Sequence, residues 1–443
     1  MGSPDTIFAL SSGHGRAGVA VIRISGPAAG EAIERMASPL PKPRFAAFRK
    51  IKHPGTGEVL DEALVLWFPA PKSETGEDMA EFQVHGGRAV IQGVLAGLGS
   101  IEGCRLAEPG EFTRRALENG KLDLTGVEGL ADLVEAETSA QRRQALRQAG
   151  GALFRLYEGW RKRLIGAMSQ MEAAIDFSDE PDVAVVPVKA ARAEVEALVS
   201  EIGKHLDDGH RGELLREGFH VVLAGPPNAG KSSLLNALAR RDAAIVSEEA
   251  GTTRDVIEVR LDLEGLPVIV SDTAGIRAPQ GAIEQEGIRR TLAHARDADL
   301  VLWLGDASLP VAAPPPDVLA RGDKFFLPVA TKIDLPGAAP PSIGPAVSAK
   351  TGAGLAELSA RLAEIAQDRI GDLSSPAITR ERYRHQLQRC MHALQEFMNL
   401  PESEYELRAE DLRIAANAVG RITGRVDAED VLGEIFARFC IGK

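Results

Sequence analysis

Apolar positions change rhythm three times along the chain. Up to about residue 118, short apolar runs alternate with Gly- and Pro-rich turns. Val19–Ile24 and Ala63–Phe68 predict strands, and Val90, Ile91, Val94, Leu95 and Leu98 predict a helix over Arg88–Leu98. From about 120 to 215 the pattern is helical. Leu146, Ala149, Leu153, Tyr157, Trp160, Leu164, Met168, Met171 and Ile175 step by three or four, which predicts one apolar stripe on a helix of about eight turns. Arg142, Arg143, Arg147, Arg155, Arg161, Lys162 and Arg163 lie off that stripe and read as its solvated face. A second helix, Val188–Leu206, is expected after the turn-forming stretch 178–182. From 218 to about 370 strand and helix alternate, with strands at 220–224, 268–271, 300–304 and 325–329. That order predicts a parallel sheet with helices on both faces. The Pro-rich stretches 310–316 and 336–345 read as loops, and the last 70 residues return to helical spacing. The expected fold class is therefore α/β plus all-α: an N-terminal α/β domain, and a helical domain interrupted by an inserted doubly wound unit. The boundaries fall at 1–118, 119–216, 217–372 and 373–443.

Composition narrows the class. The 443 residues carry 51 Lys and Arg against 63 Asp and Glu, a net charge of −12, so any nucleic-acid binding must use local patches. Cys104, Cys390 and Cys440 are odd in number and far apart, which argues against a disulfide framework or a zinc site. No apolar run approaches the roughly 18 residues of a membrane span, and the N-terminus lacks the features of a signal peptide. The expectation is a soluble, cytoplasmic protein without a membrane partner.

The chemistry is concentrated in the inserted unit. Gly225–Ser232 fits G-x-x-x-x-G-K-S between an apolar strand and a helix beginning near Ser233, the setting that a phosphate-binding loop requires. Its backbone N–H groups would face an anion at a helix N-terminus, Lys231 would reach the terminal phosphates, and the Ser232 hydroxyl would ligate Mg²⁺. Asp272-Thr-Ala-Gly275 closes the next strand, placing a carboxylate for the Mg²⁺ shell and a Gly275 N–H for the γ-phosphate. Gly251-Thr-Thr-Arg-Asp255 would be the switch, with Thr253 as a further Mg²⁺ ligand. Asp334, in Thr331-Lys-Ile-Asp334, can accept two hydrogen bonds from guanine that adenine cannot supply, and Ser348-Ala-Lys350 reads as the last base-contacting loop. These five elements in this order identify a GTPase.

With Asp5-Thr-Ile7, Arg23-Ile-Ser-Gly26, Thr75-Gly-Glu-Asp78, His85-Gly-Gly87, Pro109-Gly-Glu-Phe112, Lys121-Leu-Asp-Leu124 and the terminal Phe439-Cys-Ile-Gly-Lys443, the whole chain resembles the MnmE (TrmE) family of tRNA-modifying GTPases. The resemblance implies nucleotide contacts from Asn228, Ala229, Gly230, Lys231, Ser232 and Ser233. It extends them to Ser247, Glu248, Glu249, Ala250, Gly251, Thr252 and Thr253 in the switch, and to Asp272, Thr273, Ala274 and Gly275. On the base side it names Thr331, Lys332, Asp334, Ser348, Ala349 and Lys350. It also implies a homodimer, a flavoprotein partner MnmG that carries FAD and joins it in a heterotetramer, and a tetrahydrofolate derivative (5,10-methylene or 5-formyl) as one-carbon source. The product is an aminomethyl-type group on the wobble uridine of certain tRNAs. One position departs from the family: Thr331 stands where Asn usually ties the base loop to the phosphate loop, and Thr has no amide to donate and accept at once.

Ile276 follows DTAG where many GTPases carry a water-orienting Gln, and by family position that task falls to Glu284. Glu284 and Glu286 can also be read as simple openers of a helix. No arginine finger is evident, and the resemblance implies K⁺ in its place, held by Asn228, Ser247, Glu249 and Thr252 across paired G domains. Asn228 as a mere turn residue is the plainer alternative. By the same resemblance Arg23, Glu81, Lys121 and Lys443 contact the folate, although each also reads as a surface charge. Cys440–Lys443 has the outline of a prenylation box but ends in Gly-Lys, which does not fit, and Cys440 is given no catalytic role. Two other classes remain in view: an RNA-binding assembly switch, and a folate-dependent aminomethyltransferase with a purely regulatory G domain.

Overall fold

The computed structural model describes residues 5–13, 15–176, 181–242, 257–272, 298–310, 325–338, 344–371 and 375–426, together with Gly433, Ile435, Phe436 and Gly442. The chain divides into two compact units, one formed by 1–131, 148–162 and 416–443, the other by 132–147 and 163–415.

The first unit is built on a six-stranded sheet in the order β3-β4-β5-β2-β1-β6. Its strands are β1 (Thr6–Leu10), β2 (Ala17–Ser25), β3 (Ala47–Lys52), β4 (Val59–Phe68), β5 (Met79–Gly86) and β6 (Cys104–Leu106). Helix α2 (Arg88–Gly99) follows the apolar spacing read from the sequence, whereas α1 (Ala29–Ala37) lies outside the expected elements. Side chains alternate along β2, so Ala20, Ile22 and Ile24 enter a core with Ile33 and Met36 of α1 and Val94 and Leu98 of α2. Each large apolar side chain removed from water contributes about 1.5–3 kcal/mol. On the opposite face Ile7 and Ala9 pack with Phe112 of α3 (Glu111–Glu118). That face also carries Arg23, cross-strand from Glu81.

The second unit holds a five-stranded sheet in the order β11-β10-β7-β9-β8. Strands β7 (Phe219–Ala224), β9 (Leu266–Asp272), β10 (Leu300–Asp306) and β11 (Phe325–Thr331) are parallel and contain the four predicted runs. An edge strand, β8 (Ile257–Leu263), is antiparallel to β9 and was not expected. Its alternation Ile-Glu-Val-Arg-Leu-Asp-Leu is the signal, with Leu261 and Leu263 buried and Glu258 and Arg260 exposed. Glu264 and Gly265 close this hairpin, both with positive φ (55° and 88°).

Two helical expectations need correction. The stripe from Leu146 to Ile175 is not one helix: α5 (Ser139–Ala149) stops and α6 (Ala152–Asp176) starts anew, because Gly151 sits at φ 78° in the left-handed region. Leu146 is consequently exposed, whereas Leu153, Tyr157, Trp160 and Leu164 are buried. The next helix, α7 (Pro181–Leu206), begins seven residues before the expected Val188 and carries Pro187 inside it. Pro181 at its first position loses no intrahelical bond, so Pro181 and Asp182, expected in a turn, belong to the helix. Arg163, read as solvated, clips α6 to α7 through Glu194 and Glu201, the latter at 2.8 Å.

Candidate functional site

The phosphate-binding loop lies between β7 and α9 (Lys231–Arg241). Strand order reverses between β7 and β10, so the loop occupies the switch point of the sheet, where the carboxyl ends of the strands leave room for a ligand. Asn228 sits at φ 63°, a conformation Asn tolerates better than most residues, so its turn role is real. Lys231 Nζ donates to the carbonyls of Gly225 and Pro226, both at 3.0 Å. Burial pushes the Lys231 ammonium below its ordinary range, and Asp272 partly offsets this. Ser232 Oγ meets buried Asp272 Oδ2 at 2.5 Å, joining the start of α9 to the end of β9. Ser233 stands one position further along α9.

Thr331 resolves the family departure. Its hydroxyl is buried and donates to the Ala229 carbonyl at 2.7 Å, with the Gly305 carbonyl at 3.1 Å. A single O–H thus ties the base loop to the phosphate loop, and no amide is required. Asp334 accepts from Ser348 Oγ at 2.7 Å. That hydrogen bond, aided by Lys350, lowers the Asp334 carboxyl below its usual range. Lys332, Asp334, Ala349 and Lys350 line a cleft of about 240 Å³ with Gly230 and Ser233. The expected base-contacting and phosphate-contacting loops therefore share one cleft. Sequence reasoning missed Asp306, whose Oδ2 holds Lys332 Nζ at 2.8 Å at the end of β10. The only available signal was its place at a strand terminus beside the phosphate loop.

In the first unit, Arg23 Nε and Nη2 each reach Glu81 Oε1 at 3.2 Å, and Nη1 reaches Glu74 Oε2 at 2.7 Å. Lys121 Nζ donates to the Pro71 carbonyl at 2.7 Å, and its stem lies 3.3 Å from where a Cβ on Gly76 would stand. Arg23 and Lys121 thus converge on one loop, 71–77, while Glu81 faces Arg23 across the strands. That loop is fixed from below: Arg115, 3% exposed, binds Asp5 at 2.9 Å, Glu77 at 3.1 Å and Glu111 at 3.0 Å. Arg105 adds bonds to Asp5 and Glu111. The motifs quoted around Asp5, Glu77 and Glu111 therefore build one ion network around the buried Arg115 and Glu111, a role their spacing did not disclose. At the chain's end the Gly442 carbonyl accepts from Ser11 Oγ at 2.8 Å. Ser247, Glu248, Glu249, Ala250, Gly251, Thr252, Thr253, Thr273, Ala274, Gly275, Glu284, Cys440 and Lys443 lie outside the described residues.

Comparison with known proteins settles the kinship. The family profile for the MnmE helical domain matches residues 124–440, and that for the GTP-binding protein TrmE N-terminus matches residues 6–121. The chain is 53% identical over 439 residues to the tRNA modification GTPase MnmE of Beijerinckia indica, covering 99% of this chain and 96% of that protein. The chain belongs to the MnmE family. The MnmE proteins of Parvibaculum lavamentivorans (52% identity, 99% of this chain and 100% of that protein) and Rhodospirillum rubrum (51%, 99% and 99%) agree along their full lengths. Among the described residues no helix is long and apolar enough to cross a membrane, and no His, Cys, Asp and Glu group has the arrangement of a metal cluster.

Proposed function

We propose that this chain binds and hydrolyses GTP in the service of tRNA modification. The observation that carries this reading is one cleft lined both by Asp334, hydrogen-bonded by Ser348, and by the end of a phosphate loop that Thr331 ties to the base loop. An ionised carboxylate accepts from both donors on the guanine edge, and adenine offers no matching pair. Residues 217–372 are the hydrolytic part, with contacts along Asn228–Ser233, 247–253, 272–275 and the base side from Thr331 to Lys350. Membership of a family whose curated relatives are named tRNA modification GTPases supports the rest.

Ser232 and Asp272 offer hard oxygen donors suited to Mg²⁺, and with Thr253 they would hold it. Bound there, the ion would neutralise charge on the phosphate oxygens. Lys231 would meet the terminal phosphates and Glu284 would orient the attacking water. A K⁺ ion held by Asn228, Ser247, Glu249 and Thr252 across paired G domains would take the place of an arginine finger. The rest of the reading follows the family: a cytoplasmic homodimer joined to the flavoprotein MnmG. Residues 1–118 would bind a tetrahydrofolate derivative through Arg23, Glu81, Lys121 and Lys443, and 119–216 with 373–443 would form the helical centre. The convergence of Arg23 and Lys121 on one loop, with a carboxylate beside them, suits the carboxylates and the pterin edge of such a ligand.

Asp334→Asn replaces one acceptor oxygen by a donor, so the variant should prefer xanthine to guanine nucleotides. Retained guanine preference in competition binding counts against the guanine site. A wobble-uridine nucleoside profile of a deletion strain, unmodified and restored by the intact gene, tests the tRNA step. Glu284→Ala should abolish turnover with nucleotide affinity intact, and turnover should rise in K⁺ but not in Na⁺.

A further inference from the structure

Asp306 belongs to no motif used so far, yet it bonds Lys332, which lines the base side of the cleft. Its Oδ2 bonds Lys332 Nζ at 2.8 Å, and its Oδ1 accepts from the Ser308 N–H at 3.0 Å and hydroxyl at 2.7 Å. The Asp306 side chain is 10% exposed and that of Lys332 is 35% exposed. Asp306 and Thr331 are register partners on β10 and β11, so the residue before Lys332 is fixed by the same strand pair. Lys332 itself stands at φ 59°, a left-handed conformation that a Lys adopts only when its surroundings hold it. We infer that Asp306 is a positioning residue for the guanine site, anchoring the Lys332 ammonium so that the Lys332 stem forms a ready-made wall of the base cleft. This rests on the guanine-nucleotide reading above and adds to it a residue outside the nucleotide motifs.

The physical case is one of order in advance. A Lys side chain has four rotatable bonds and, unpaired, would sample many rotamers at the mouth of the cleft. Fixing it when nucleotide arrives would subtract from affinity, whereas a stem already held by Asp306 costs nothing further at that moment. The carboxylate is suited to the task because the Lys332 contact, with the two bonds from Ser308, holds its pKa down to about 2, so it stays ionised at any working pH. Base and ribose are common to GTP and GDP, so both should feel the loss of this wall equally. The phosphate chemistry should not feel it.

The test uses the full-length protein and fluorescent GDP and non-hydrolysable GTP as probes. Asp306→Asn keeps the size and removes the charge. It should weaken both nucleotides by roughly three- to tenfold, through faster dissociation. KM for GTP should rise by a similar factor while kcat at saturation is kept, a split that a general loss of structure does not produce. Asp306→Glu should recover part of the affinity. Lys332→Met keeps the stem but not the ammonium, and should match Asp306→Asn. In the double variant the two losses should not add. Wild-type affinity in either single variant, or additive losses in the double, overturns the inference. Should Asp306→Asn fail to fold, Asp306→Glu decides it: both nucleotides weakened alike with kcat kept supports the inference, and wild-type affinity overturns it. If the wild-type protein itself shows no guanine preference, it is the underlying site assignment that fails, a result distinct from any pattern among the variants.

Discussion

Single hydroxyls carry disproportionate weight in this molecule. Thr331 holds the phosphate loop by one O–H in a site only 4% exposed. Thr331→Val preserves shape and removes that donor, leaving the Ala229 carbonyl without it at a cost of about 1–3 kcal/mol. Thermal melts should register the loss, and guanine nucleotide affinity should fall with it, whereas Thr331→Asn, the usual family residue, should retain binding. His205 on α7 acts in the opposite sense. Burial lowers its pKa from 6.5 to about 4, against a raising influence from Asp208. The unfolded chain therefore binds this proton more readily than the folded one between pH 6.5 and 4. Stability from this group is complete above pH 6.5 and is lost as pH falls towards 4. Urea titrations at pH 7 and pH 5 should show that drop, and His205→Gln should flatten it.

At the scale of elements, strands were legible where both faces are buried or where a motif follows them. The parallel strands β7, β9, β10 and β11 announced themselves as apolar runs; β8 did not, because its half-exposed alternation is a weaker signal than a continuous run. The stripe from Leu146 to Ile175 kept its period across a break that only the backbone of Gly151 reveals, since apolar spacing reports faces and not continuity. The nucleotide motifs were readable because their chemistry is local in sequence. The Arg115 network was not, since Asp5 and Glu111 meet only through the fold. The C-terminal Gly442 belongs to the same lesson. It lies at φ 101°, and a Cβ there would stand 2.2 Å from the Leu10 carbonyl. Gly442→Ala should therefore release the tail, seen as faster trimming by carboxypeptidase with the rest of the unit's melting unchanged.

On the scale of the whole chain, the two units carry different acid sensors. In the first, burial raises the Glu111 carboxyl, but hydrogen bonds from Arg105, the Glu108 N–H and Arg115 outweigh it and leave the pKa below its ordinary 4.5. Its stabilisation persists above that value and disappears only as pH falls further below it. In the second unit the His205 contribution fades earlier, between pH 6.5 and 4. An acid titration should therefore loosen the second unit before the first. Trp303 reports on the second, and Trp67 and Trp160 on the first, so Trp-to-Phe variants separate the two transitions by fluorescence. Coincident transitions would refute this ordering.

The β8–β9 hairpin links the nucleotide site to the start of α5. Its open end pairs Ile257 with Asp272 beside Ser232, and its closed end presents the Gly265 carbonyl to the Ala140 N–H at 3.1 Å. Arg260 midway along it grips Glu137 at 3.2 Å. Seven residues per strand make this a spoke of roughly 20 Å. A Cβ on Gly265 would come within 2.6 Å of Ser139 Oγ, so there is no slack at that end. Any ångström of travel imposed at Asp272 must either flex two hydrogen-bonded strands or push directly on the first turn of α5.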